Sequence, residues 1–125
     1  MTKRILALTI MLVLAFAVLT SCGGSSLVGR WEAVSISWNE DGHTETDYFP
    51  PGEVFMDFFD DGTGVLTMGT VRERFTWSTS GNRLTTIDQD GVSETGDFNI
   101  SGSTFTYTFV EDWGTEVMTF RRVNN

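Results

Sequence analysis

His43 is the only histidine in the chain, and it lies in Asn39-Glu40-Asp41-Gly42-His43-Thr44-Glu45-Thr46-Asp47, where polar residues alternate. An imidazole with Asp41, Glu45 and Asp47 around it is the donor set of a mixed nitrogen–oxygen metal site. The same run is also an ordinary solvated loop, and nothing in the spacing favours the metal. Asp88-Gln89-Asp90-Gly91 with Glu94 opens like a calcium loop but lacks the spacing and terminal bidentate glutamate of one. An Asp-Gly pair is what a tight hairpin turn needs, so these residues read as a turn, as do Asp57, Asp60 and Asp61. No metal site and no cofactor are expected. Catalysis has little to stand on. A Ser-His-Asp set would have to recruit His43, and paired carboxylates mean little unless a cleft fixes their separation. The chain is not expected to be an enzyme.

The elements that would position any site have a period of two and almost no helical stretch. Thr104-Phe105-Thr106-Tyr107-Thr108-Phe109 places an aromatic at every second residue, the pattern of a half-buried antiparallel strand. Val54, Met56 and Phe58 alternate in the same way, as do Phe75 and Trp77, then Phe98 and Ile100. Turn signals fall between these runs: Asp60-Asp61-Gly62, Ser80-Gly81-Asn82, Asp90-Gly91, Ser101-Gly102-Ser103 and Asp112-Trp113-Gly114. The pattern predicts eight strands, near 28–38, 53–59, 64–69, 71–78, 83–88, 92–100, 103–110 and 115–123, joined as a meander. Such a meander either closes into an up-and-down barrel, which removes exposed edges, or folds over as a two-sheet sandwich. The barrel is favoured, because only Asn39 to Gly52 is long enough for a crossover.

Ahead of the strands stand Lys3, Arg4, a charge-free run from Ile5 to Leu19, and Thr20-Ser21-Cys22. The run is shorter than the roughly 17–25 residues of a membrane span. It has the length of a secretory signal's apolar core behind a basic start. Loss of Lys3 and Arg4 would take the formal charge from −9 to −11 and leave six arginines and no lysine. So acidic a surface repels nucleic acid and anionic headgroups, so no nucleic-acid partner is expected. Cys22 is the sole cysteine, so no internal disulfide forms and packing alone must hold the domain. Four tryptophans, two tyrosines and nine phenylalanines beyond Leu19 supply that core.

Leu19-Thr20-Ser21-Cys22 resembles the lipobox of bacterial lipoproteins. The resemblance implies cleavage before Cys22, lipid on its thiol and acylation of the new amino group. It divides the chain into a signal peptide at 1–21, a lipidated cysteine and flexible tether at 22–26, and a domain at 27–125. It implies a location in the bacterial cell envelope, held to a membrane through Cys22 and facing away from the cytoplasm. A lipidated Cys22 also leaves no Cys/His pair for nucleophilic chemistry.

Gly29-Arg30-Trp31 in the first strand and Arg121-Arg122 in the last resemble the lipocalin signature, Gly-x-Trp with a late arginine. Phe58-Phe59-Asp60-Asp61-Gly62-Thr63-Gly64, and Phe75-Thr76-Trp77 ahead of Gly81-Asn82-Arg83-Leu84, also look like small bacterial lipocalin-like domains. The resemblance implies an all-β, eight-stranded antiparallel barrel in which Trp31 plugs one end and Arg121 or Arg122 packs across the indole. Gly29, Trp31, Arg121 and Arg122 would then close the barrel. Thr46-Asp47-Tyr48 falls too early to be the family's late Thr-Asp-Tyr, and the usual C-terminal helix is missing.

In such a barrel the first long loop, Asn39–Gly52, folds over the mouth as a lid carrying Trp38, Tyr48 and Phe49. Val34, Ile36, Met56, Phe58, Met68, Trp77, Tyr107 and Phe120 would line the interior, a lining suited to an uncharged or weakly acidic hydrophobe. The residues expected at the ligand are Trp38, Tyr48, Phe49, Met56, Phe58, Trp77 and Tyr107. The function expected is binding of a small hydrophobic or amphipathic molecule by a monomeric, lipid-anchored envelope protein. The alternative is a filled barrel that presents its surface, with Trp38 and Trp113 exposed, to a protein or glycan partner.

Overall fold

The computed structural model describes residues 25–123. The expected signal peptide, Cys22 and most of the expected tether lie outside the described residues. A single helical turn, Ser25–Leu27, precedes nine antiparallel strands: β1 (Gly29–Glu40), β2 (His43–Tyr48), β3 (Val54–Phe58), β4 (Thr63–Met68), β5 (Val71–Ser80), β6 (Arg83–Asp88), β7 (Ser93–Ser101), β8 (Thr104–Glu111) and β9 (Gly114–Arg122). β1 and β3 to β9 pair in chain order, and β9 returns to pair with β1. Eight strands therefore close a barrel, and the sandwich is excluded by the β1–β9 ladder from Trp31↔Arg122 to Asn39↔Thr115.

The ninth strand, β2, corrects the expectation of a loop from Asn39 to Gly52. Asp41-Gly42 is a hairpin turn with φ of 50° and 79° at its two residues. Positive φ at both central positions is the mark of the tight type I′ turn. The chain after it pairs back on β1 from Glu40↔His43 to Ser35↔Tyr48. β1 is long enough to serve two partners on one edge: β3 takes Gly29 to Glu32, and β2 takes Ser35 to Glu40. All six residues of β2 are exposed. Its charged, threonine-rich sequence, His43-Thr44-Glu45-Thr46-Asp47, is of the kind that discourages edge-to-edge pairing with another chain.

Alternation decides what lies inside. Trp31, Ala33, Met56, Phe58, Phe75, Leu84, Phe98, Phe105, Tyr107 and Phe120 are buried, with Leu27 from the helical turn. Phe105 is the hub: its ring lies 4.9 Å from Phe120, 5.3 Å from Trp31 and 6.0 Å from Phe58. Such tilted and stacked pairs add to the burial of large apolar surfaces. The β1–β9 register shifts between Ala33 and Ser35. Ala33 opposes buried Phe120 before the shift, and Ile36 opposes Met118 after it. The bulge carries Val34 out of the interior lining, where strict alternation from Ile36 would have placed it; it borders an outer crevice with Glu32, Phe49 and Arg121.

The two ends of the barrel differ. Leu27, Trp31, Phe58, Phe105 and Phe120, all at most 1% exposed, fill one end. The ends of β4, β6 and β8 and the starts of β5, β7 and β9 meet at the other, in the turns at 69–70, 89–92 and 112–113. Every barrel strand finds both neighbours within residues 29–122, so the segment from Ser25 onward carries a complete ladder and core.

Candidate functional site

The open end leads into a cavity of about 270 Å³ inside the barrel. Met56 and Leu66 from β3 and β4, Phe75 from β5, Tyr107 and Phe109 from β8 and Met118 from β9 supply its apolar walls. Thr86 adds a hydroxyl, and Glu73, Asp88, Glu94 and Glu116 bring carboxylates, with Arg74 and Val92 also at the boundary. The geometry follows from the pleat. Glu73 is two residues before Phe75, Glu94 two before Gly96, Glu116 two before Met118, and Asp88 two after Thr86. The inward period of each strand thus runs from apolar residues at depth to a carboxylate at the mouth.

Tyr107 is the buried polar group of the floor. Its hydroxyl donates to the Leu84 carbonyl at 3.0 Å and lies 3.4 Å from the Glu94 carbonyl. Burial pushes the phenol up to about 12, the nearby negative Glu94 adds to this, and a hydrogen bond with Thr86 opposes it. The phenol is therefore neutral at any physiological pH. Two of the mouth carboxylates are oriented by neighbours. Glu116 Oε1 accepts from Trp38 Nε1 at 3.0 Å. Asp88 Oδ1 accepts the amides of Asp90 and Val92 at 2.9 and 3.0 Å, as the turn reading of Asp88-Gln89-Asp90-Gly91 requires.

Of the residues expected at the ligand, Met56 and Tyr107 border this cavity. Phe58 lies beneath it in the plug, 1% exposed. Trp77 packs edge-on against Phe58, with centroids 5.4 Å apart, and donates its indole N–H to the carbonyls of Phe59 and Thr63, which fastens the β3–β4 turn. The three lid residues part company. Trp38 is held by Glu116, Phe49 packs against the core, and Tyr48 is 77% exposed and borders the outer crevice. None of the three borders the inner cavity, because pairing with β1 aligns β2 along the wall. Carboxylates at the mouth also depart from the uncharged lining expected of the interior.

The closing residues meet. The Arg122 guanidinium lies over the Trp31 ring, 4.2 Å from its centroid, and donates to the carbonyls of Val28 and Ser26. Trp31 Nε1 donates to the Leu27 carbonyl at 2.9 Å. Gly29 leaves room for the guanidinium, since a Cβ there would come within 2.9 Å of Arg122 Nη1. Arg121 points to the other face and pairs with Glu32 at 2.7 Å. The Glu32 carboxyl is held below its ordinary range, first by the Gly52 amide and then by Arg121, against the effect of burial. His43 and Glu45 approach to 3.4 Å on the exposed hairpin. No three His, Cys, Asp or Glu side chains converge on a metal-sized site among the described residues.

A wider groove of about 690 Å³ runs over the outer face beside Phe59, Val65 and Ile87. It lies outside the barrel, whereas the inner cavity is reached by residues of seven strands, β3 to β9.

The barrel, its tryptophan plug and its open end define a lipocalin-like architecture. Residues 27–107 match the lipocalin-like domain family, and the chain belongs to it. Solved structures agree on the fold. A lipocalin-like protein from Bacteroides uniformis is 19% identical, with a TM-score of 0.57, over 78% of this chain and 98% of its own. An uncharacterized protein from Bacteroides eggerthii is 10% identical, with a TM-score of 0.59, over 78% of this chain and 99% of its own. Each of these chains is matched almost whole. No curated protein sequence matches the chain.

Proposed function

We propose that this protein binds a small amphipathic molecule inside its barrel and carries out no catalysis of its own. The observation that supports this reading is the cavity of about 270 Å³, open at one end, with apolar walls from Met56, Leu66, Phe75, Phe109 and Met118. Concave, mostly apolar sites with a few polar groups are how proteins hold small ligands. The affinity comes from burying the ligand's apolar part, and Thr86 and the mouth carboxylates fix its orientation. We further propose that Cys22, acylated after removal of residues 1–21, tethers the barrel to a membrane of the bacterial envelope as a monomer. The sequence Leu19-Thr20-Ser21-Cys22 supports that anchoring.

The test is calorimetric titration of the chain from Ser25 onward with a panel of amphipathic molecules, beside a Leu66→Trp variant whose larger ring fills the cavity. Saturable binding lost in the variant supports a container. Absence of saturable binding across the panel favours the second reading, a surface module whose outer groove at Phe59, Val65 and Ile87 meets a larger partner.

A further inference from the structure

The cavity has a sign as well as a shape. Glu73, Asp88, Glu94 and Glu116 bring four carboxylates to its boundary from four different strands, and Arg74 is the sole cationic side chain among its lining residues. The apolar residues lie on the inner side of these carboxylates along each strand, so apolar depth and negative mouth form one continuous site. We infer that the lumen takes a cationic amphipath: an amine or quaternary ammonium at the mouth, with its alkyl or aromatic body against Met56, Phe75, Phe109 and Met118. This inference rests on the container reading and names the ligand class of that same site.

The physical argument is one of complementarity. Carboxylates around a recess with low-dielectric walls focus a negative potential into it and concentrate cations there. An anionic headgroup in the same position would meet like charges, and such juxtapositions reject wrong ligands strongly. The hydrogen bonds that Glu116 receives from Trp38, and Asp88 from its own turn, use one oxygen of each carboxylate. They orient these groups without neutralising them. Deeper in, Tyr107 stays an un-ionised phenol with its hydroxyl spent on Leu84, so the floor offers no charge of its own.

Three probes of one tail length separate the possibilities: octyltrimethylammonium, octanol and octanoate, titrated into the chain from Ser25 onward at low and at molar salt. The expected result is saturable binding of the cation, tighter than octanoate by about tenfold or more at low salt. The preference should shrink at molar salt, where exposed charges are screened. Glu73→Gln with Glu94→Gln should weaken the cation severalfold and change octanol far less, so that the cation's advantage over octanol shrinks. Both side chains are exposed, so an unchanged melting midpoint verifies that the fold survives. Octanol or octanoate binding as tightly as the cation would overturn the inference and leave the container standing. An unchanged cation affinity in the double variant would overturn it as well. Failure of all three probes to bind would remove the container reading and this inference together.

Discussion

Arg122 lies face-on to Trp31, its guanidinium carbon 4.2 Å from the ring centroid, and this contact joins the last strand to the first. The ladder partners themselves oppose each other, Trp31↔Arg122. The arginine thus crosses the end of the barrel and ties the helical turn through the carbonyls of Ser26 and Val28. Closure of the sheet, capping of the plug and fixing of Leu27 are a single arrangement.

Trp31→Ala is expected to cost roughly 3–5 kcal/mol, as for other fully buried aromatics. Arg122→Ala should cost about 1–2 kcal/mol, since a partly desolvated cation–π contact is the smaller contribution. Urea unfolding measures both. A loss below about 1 kcal/mol for Trp31→Ala would show that the ring is not the plug.

The two faces of β8 predict opposite responses to one substitution. Tyr107 is 3% exposed, and Thr106 lies between Asn99 and Thr119 on the outer side. Tyr107→Asp buries a carboxylate among rings and should unfold the domain, whereas Thr106→Asp should cost less than about 1 kcal/mol. Equal melting temperatures for the two variants would contradict the assignment of faces.

The barrel was legible because each strand's burial is written at every second residue. Phe105, Tyr107 and Phe109, or Met56 and Phe58, need no long-range information to be placed inward. Closure was legible through the resemblance of Gly29-Arg30-Trp31 and Arg121-Arg122 to the lipocalin signature, and the register Trp31↔Arg122 decides which arginine meets the ring. The hairpin at Asp41-Gly42 was missed although its turn signal is strong, because β2 has no apolar face and so no period to detect. The mouth carboxylates were missed for a related reason. Glu73, Glu94 and Glu116 continue the inward period, but at strand ends they look like ordinary solvated charges. Only the closed ring shows that they share one opening. The bulge that expels Val34 leaves no mark in local sequence at all.

Gly64 is a close-approach position. A Cβ there would come within 2.3 Å of the Phe75 ring and 2.6 Å of the Asp57 carbonyl. Gly64→Ala is expected to destabilise by roughly 1–3 kcal/mol through overpacking. It should also perturb the cavity wall that Phe75 forms. A neutral effect on chemical denaturation would mean that Phe75 does not cover β4.

Stability should fall at both extremes of pH. The Glu32 carboxyl lies below its ordinary 4.5 because of Gly52 and Arg121, and Asp61 lies below 3.8 because of Thr63. Unfolding raises both, so their contribution is present above those ordinary values and is lost as pH drops through the folded ones. Glu32→Gln should flatten the acid limb. Tyr107 is the reverse case, about 12 in the fold against an ordinary 10.0. Between these values the unfolded chain ionises first, so stability falls as pH rises, and Tyr107→Phe should flatten the alkaline limb. Parallel limbs in wild type and variants would contradict these contacts.

The central claim is that a ligand enters the barrel, and methionine methyl NMR tests it most directly. From Ser25 onward the chain has three methionines, Met56, Met68 and Met118. Met56 and Met118 border the inner cavity, while Met68 is 41% exposed and lies outside its lining. Titration with octyltrimethylammonium should shift the Met56 and Met118 methyl signals saturably and together and leave Met68 little changed, and in Leu66→Trp none of the three should shift. Unmoved Met56 and Met118 signals at concentrations where calorimetry shows saturation, or shifts confined to Met68, would contradict a container and place the site away from the inner cavity.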